Sequence, residues 1–250
     1  MSALLETRGL FKTFGDLVVT SNVDFRLDAG ARRALIGPNG AGKTTFINLI
    51  SGRLTPTSGS VFLVGEDVSA LGQAERVKRG LGRTFQINML FRDLTVLENV
   101  VLAVSERRGR AGDMFRFAGS KKEIIVEAFE LLERLRIADD ALNKVREVAY
   151  GRQRLVEIAI ALALKPKVLL LDEPAAGVPS AESKLILDVM AELPGEIAVL
   201  VIEHDMDLVM RFAQRITVLV QGAVLTEGAP AEVMADPRVR EVYLGEHLDG

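Results

Sequence analysis

The sequence predicts an α/β fold in which strand-and-helix sequence brackets an inserted, mainly helical block. Three observations carry this. Short runs at Arg33–Ile36, Val168–Leu171 and Ala198–Ile202 read as strands, and the last two end in acidic residues, the pattern of buried parallel strands. A glycine-rich loop follows the first run and opens a helix. From about Leu94 to Ala163 the periodicity is helical, with Ile124, Ile125, Ala128, Leu131, Leu132 and Leu135 forming an i, i+3/i+4, i+7 stripe.

Taken in order, Leu4 to Leu27 alternates apolar stretches with turn residues such as Gly15-Asp16 and reads as antiparallel strands. Thr45 to Ile50 reads as a helix that stops near Gly52. Residues 57–70 read as a strand and a turn. Ser105 to Lys122 holds six basic residues against two acidic ones and reads as a solvated surface loop. After Pro166 strands and helices return. Ile216 to Val220 and Ala223 to Thr226 flank Gln221-Gly222 and predict a hairpin. Pro230 to Gly250 reads as a helical tail. The α/β core is expected over about 1–88 and 164–250, with the helical subdomain inserted at about 89–163.

Composition narrows the function. The 250 residues allow one large domain or one domain with an inserted lobe. With 31 Lys plus Arg against 34 Asp plus Glu the net charge is −3, which argues against a general nucleic-acid binder. The cysteine count of 0 excludes disulfide scaffolds, thiolate zinc sites and cysteine nucleophiles. The only histidines are His204 and His247, so a multi-histidine metal site is not expected. The longest apolar run, Ile158 to Leu164, is too short for a membrane span. The N-terminal stretch has no apolar signal core. A soluble, cytoplasmic chain is expected, with any membrane role exerted through a partner.

Gly37-Pro38-Asn39-Gly40-Ala41-Gly42-Lys43-Thr44 fits G-x-x-x-x-G-K-[ST] in full, between an apolar strand and a helix. Glycines let backbone N–H groups wrap phosphates without Cβ obstruction. The helix opening near Lys43, with Thr44 and Thr45 in its first turn, points its positive end at the anion. Lys43 is expected to bridge the β- and γ-phosphates, and the Thr44 hydroxyl to ligate Mg²⁺. Asp172-Glu173 follows a four-residue apolar strand, a position beside the phosphate crevice. Asp172 is expected to hold Mg²⁺, and Glu173 to polarise the attacking water as general base.

Further segments resemble the ATP-binding-cassette ATPases, in the right order and over nearly the whole chain. Arg83-Thr84-Phe85-Gln86 is similar to that family's Q-loop. Val148 to Arg154 occupies the signature position, with Ala149 lying 23 residues before Asp172. Ala175 to Ser180 resembles the D-loop, and Glu203-His204-Asp205 the switch-histidine segment. Phe14 matches the aromatic that stacks on adenine. More narrowly, RTFQ with LFRDLTVLENV, DEPAAGV, VIEHDMDLVM and the terminal YLGE resemble the ATP-binding subunits of branched-chain amino-acid importers.

The resemblance implies a P-loop NTPase fold with an N-terminal antiparallel β subdomain and an inserted α-helical subdomain. It implies ATP and Mg²⁺ as ligands and a head-to-tail pair of ATPase chains, identical or paralogous. Each ATP then lies between one chain's phosphate loop and the other's signature, Ala149, Tyr150, Gly151 and Arg152. Gln86 senses the γ-phosphate through Mg²⁺ or water, and His204 holds the water geometry. Permease subunits fed by a substrate-binding protein, and a place on the cytoplasmic side of the membrane, follow from the same resemblance. The signature departs from Leu-Ser-Gly-Gly-Gln: Ala149 has no hydroxyl to donate, and Arg152 replaces glutamine. That departure motivates one alternative, a nucleotide-gated interaction module with little turnover; an exporter-type ATPase is kept as another. The apolar stretch Ile87 to Leu97, with Met89, Leu90, Phe91 and Leu94, reads equally as core or as a groove for a permease helix.

Overall fold

The computed structural model describes residues 3–84, 90–109 and 118–245. They fall into two compact units. The first comprises Met1–Leu81, Lys167–Glu173 and Pro194–Gly250; the second comprises Gly82–Pro166 and Pro174–Leu193. Pro174–Leu193 groups with the helical unit, whereas the sequence boundary at 164 places it in the α/β core.

In the first unit, β1 (Ala3–Phe14) and β2 (Leu17–Asp28) form a hairpin across Gly15-Asp16. Then follow β3 (Arg32–Ile36), α1 (Lys43–Ile50), β4 (Ser58–Leu63), β5 (Glu66–Asp67), α2 (Gln73–Lys78) and β6 (Leu81–Arg83), which leads out of the unit. The second unit holds α3 (Val96–Arg107), α4 (Ala118–Arg134), α5 (Tyr150–Ala163) and α6 (Ser180–Ala191). The first unit resumes with β7 (Val168–Asp172) between α5 and α6. After α6 come β8 (Ala198–Ile202), α7 (Met206–Phe212), β9 (Arg215–Val220), β10 (Ala223–Gly228), α8 (Pro230–Ala235) and α9 (Pro237–Gly245).

Two sheets build the first unit. One is antiparallel, in the order β2-β1-β4-β5; the other runs β10-β9-β3-β8-β7-β6. In the second, β9, β3, β8 and β7 are parallel neighbours and β10 closes it antiparallel to β9. Both faces of this sheet are covered. Leu35 of β3 packs with Phe46, Ile47 and Ile50 of α1, whereas Ala34 and Ile36 pack with Val209, Val233 and Val239 of the C-terminal helices. That split is the period-two alternation of a strand. All five residues of β7 and of β8 are buried, which explains their unbroken apolar sequence. At the β9–β10 turn Gln221 and Gly222 both have φ near +50° to +80°, at 48° and 79°, the geometry a two-residue hairpin turn needs.

The helical unit forms where the stripe places its apolar residues. Thr95 caps α3 by accepting from the Glu98 amide at 3.1 Å, while Glu98 accepts from the Thr95 amide at 2.7 Å. Val96, Val100 and Val104 of α3, Ile124, Ala128 and Leu132 of α4, and Leu155 and Ala159 of α5 are buried. Ile125, included in the stripe by spacing, is on the solvent side. Of the loop expected at Ser105 to Lys122, the first residues belong to α3, which runs to Arg107, and the last to α4, which starts at Ala118, while residues 110–117 lie outside the described residues.

Glu127 of α4 ties this unit together. It accepts from Arg107 at 2.8 Å and from Arg108 at 2.7 Å, and lies 3.2 Å from Lys165. Burial alone raises its pKa; the hydrogen bonds from Arg107, Arg108 and Lys165 outweigh this and hold it at about 2. The folded value lies below the unfolded one. The resulting stabilisation is therefore fully present above the ordinary glutamate value of 4.5 and is lost as pH falls towards 2. Acid titration of urea midpoints is expected to show wild type losing more stability between these pH values than Glu127→Gln. Parallel curves for the two proteins would contradict it.

Candidate nucleotide site

Three neighbouring parallel strands deliver the site residues to one edge of the sheet. The register pairs Leu35 of β3 and Asp172 of β7 with Ile202 of β8. The loop Gly37–Gly42, the Asp172-Glu173 pair and the Glu203-His204 segment therefore leave the sheet at the same level. That edge is the crevice where open α/β sheets bind ligands.

The loop between β3 and α1 is shaped by close backbone approaches. A Cβ on Gly37 would lie 2.1 Å from the Leu219 carbonyl oxygen, and one on Gly42 would lie 2.5 Å from that of Val19. Gly37 and Gly42 also have φ of 154° and 95°. Pro38 and Ala41 close a turn, Ala41 N–H to Pro38 O at 3.2 Å, with Asn39 and Gly40 at its tip. Lys43 is buried, and its Nζ donates to the carbonyls of Gly37 at 2.7 Å and Pro38 at 2.9 Å. The ammonium thus sits inside the loop's own curve, where phosphate oxygens can replace the carbonyls. Thr44 is exposed in the first turn of α1, and Thr45 is half-buried.

Asp172 ends β7 and is buried. Glu173 follows with φ of 49°, an unfavourable conformation for a residue with a side chain, held by its N–H bond to Ile202 O at 3.0 Å. Its Oε1 is 3.2 Å from Nε2 of His204, which is half exposed. Glu203 is buried and accepts from the His204 amide at 3.2 Å. The structure thus brings the two residues expected to handle the water, Glu173 and His204, into contact. Gln86 and His247 lie outside the described residues. Phe14, at the end of β1, exposes about half its surface, at 49%.

The signature lies in the helical unit. Ala149 occupies the N-cap of α5 and supplies no side-chain acceptor. Glu182 of α6 fills that gap, accepting from the Gly151 amide at 3.0 Å. Tyr150 is partly exposed, and its hydroxyl accepts from Arg154 at 2.6 Å. Arg154 also donates to Glu157 at 2.9 Å; burial pushes the Glu157 carboxyl up although Arg154 pulls it down. Arg152, which replaces the signature glutamine, has its Nε hydrogen-bonded to Asp140. Its charge is matched within its own chain. Sequence reasoning did not find Glu182 or Glu203 as supports of the site, because neither belongs to a spacing that marks chemistry by itself.

The oxygen donors at the sheet edge suit a hard cation. They are the Thr44 hydroxyl and the Asp172 carboxylate, and no group of three or more His, Cys, Asp or Glu that could hold a metal occurs among the described residues. Such a sparse oxygen set fits Mg²⁺, which is bound through one or two carboxylates together with substrate phosphates.

A phosphate loop between a parallel strand and a helix, with a carboxylate pair at the end of the next strand but one in the sheet, defines a P-loop nucleoside-triphosphatase. The family model described as ABC transporter matches residues 20–176, and that described as branched-chain amino acid ATP-binding cassette transporter matches residues 223–249. The chain is 38% identical to the high-affinity branched-chain amino acid transport ATP-binding protein LivG of Escherichia coli (strain K12), over 97% of this chain and 98% of LivG. The ADP conformation of MJ1267, an ATP-binding cassette of an ABC transporter, superposes with a TM-score of 0.86 at 31% identity, covering 98% of this chain and 100% of that one. The dimeric post-hydrolysis structure of the cassette MJ0796, bound to ADP and Pi, superposes with a TM-score of 0.76 at 28% identity, covering 90% and 98%. The chain belongs to the ABC transporter family and is an ATP-binding cassette ATPase of it. Among the described residues no helix is long and apolar enough to cross a membrane.

Proposed function

We propose that this chain hydrolyses ATP to drive uptake of branched-chain or related amino acids through membrane permeases. The contact between Glu173 and His204 beside the phosphate loop is the observation that supports hydrolysis. The similarity to LivG and the match of residues 223–249 support the solute class. Lys43 and the loop amides hold the β- and γ-phosphates, and the face of Phe14 takes the adenine. Glu173 accepts a proton from the attacking water, and His204 fixes that water and the γ-phosphate. Thr44, Asp172 and Gln86 would hold Mg²⁺, which would supply neutralising charge to the phosphate oxygens. A second ATPase chain completes each site with Ala149, Tyr150, Gly151 and Arg152, and the pair works on the cytoplasmic face of the membrane. The test is ATP-dependent accumulation of labelled leucine in vesicles carrying this chain and its permeases. No accumulation of any branched-chain amino acid would remove the solute assignment.

The same assay locates the coupling surface. Of the two readings the sequence leaves open, the burial of Leu90 supports core for that residue, whereas Phe91 is 61% exposed and available to a partner. The backbone of Phe91 is fixed from both sides by Asn99, at 2.9 Å and 3.1 Å. Phe91→Asp is expected to reduce transport by about 30-fold, the loss of one strong interface contact, while ATP binding survives. Unchanged transport would place the permease contact elsewhere.

A further inference from the structure

Phe14 is half exposed, so packing alone does not hold its ring. Lys12 precedes it by two positions and therefore lies on the same face of β1. The Lys12 ammonium is 5.1 Å from the Phe14 ring centroid, and it also donates to the Thr55 carbonyl at 2.8 Å. The end of β1 is stitched to the same stretch by its backbone. Thr13 N–H donates to the Thr57 hydroxyl at 3.1 Å, and Thr57 N–H to Phe11 O at 2.9 Å. Residues 51–57 leave α1 directly, and the amides of Arg53 and Leu54 both donate to Asn48 O at 2.9 Å. One cation therefore joins the ring to the segment that continues from the phosphate-loop helix.

We infer that Lys12 is a positioning residue for the base end of the nucleotide site, pinning the Phe14 ring at a fixed offset from the phosphate loop. Its ammonium takes one side of the ring by a cation–π contact and leaves the other side for a nucleobase. This rests on the reading of Phe14 as the base platform. A purely structural lysine would affect every ligand alike. A positioning lysine affects only ligands that carry a base.

The test compares binding of Mg-ATP and of Mg-tripolyphosphate, which has the phosphates but no base, to the full chain by titration calorimetry. Lys12→Met keeps the length of the stem and removes the charge. It is expected to raise the Kd for ATP about two- to fivefold, the size of an exposed cation–π contact, and to leave that for tripolyphosphate unchanged. Lys12→Arg, which keeps a cation over the ring, is expected to restore ATP binding. Phe14→Ala is expected to weaken ATP at least as much, and adding Lys12→Met to it to cost nothing further. If Phe14→Ala weakens ATP alone, but Lys12→Met weakens neither ligand or both equally, the role of Lys12 is overturned and the base platform stands. If Phe14→Ala leaves ATP binding unchanged, the base platform itself falls, and the role of Lys12 with it.

Discussion

Glu173→Gln is expected to lower ATP turnover by roughly 10²- to 10⁴-fold, the usual contribution of a positioned general base, with ATP affinity retained. Glutamine keeps the volume and one hydrogen-bond acceptor but cannot take a proton from water. The variant also removes the charge facing His204 Nε2 at 3.2 Å, so the geometry should survive while the chemistry stops. Single-turnover hydrolysis of labelled ATP measures this directly. A variant as fast as wild type would remove Glu173 as the base. A wild type as slow as the variant would favour the nucleotide-gated module that Ala149 and Arg152 suggest. The same protein reports on assembly. With hydrolysis blocked, ATP that bridges two chains should stay trapped, and the mass in solution with Mg-ATP should double. A monomer that binds ATP would mean that the second signature comes from a paralogous ATPase.

The parts of the site that lie in contiguous stretches were legible in the sequence. Gly37–Thr44 and Asp172-Glu173 combine a strand, its end and a reactive residue within a few positions, so pattern alone places them at a strand edge. His204 follows β8 in the same way. What stayed hidden depends on contacts between distant residues. Leu90 and Phe91 are equally apolar neighbours, yet one is buried and the other exposed, and periodicity cannot separate them in a stretch without regular structure. The pairing of Arg152 with Asp140, 12 residues before it, is marked by no local spacing. Glu182 reaches Gly151 across 31 residues. The grouping of Pro174–Leu193 with the helical unit also follows from packing, since α6 contacts α5 and carries no marker of that contact.

Arg76→Met is expected to destabilise the first unit by roughly 1–3 kcal/mol, the penalty of leaving buried backbone acceptors without their donor. Arg76 is almost wholly buried, at 1% exposed, and nothing in its sequence context announces this. Its guanidinium donates to the carbonyls of Leu49 at 2.7 Å and Ile50 at 2.9 Å, the last residues of α1, and to those of Leu71 at 3.0 Å and Ser69 at 3.2 Å. It therefore caps the C-terminal end of the helix whose N-terminal end carries the phosphate loop, where a cation also complements the helix dipole. Burial draws its pKa down to about 10, against the attraction of Asp67. Methionine fills similar volume but supplies no donor, so these carbonyls lose their charged partner in the core. Lysine keeps the charge but cannot fan donors to four acceptors, so Arg76→Lys should fall between methionine and wild type. Urea unfolding of the three proteins in the absence of nucleotide measures the order. Adding Mg-ATP should raise all three midpoints, because ligand binds only the folded unit. A methionine variant as stable as wild type would show that the α1 terminus is satisfied without the arginine.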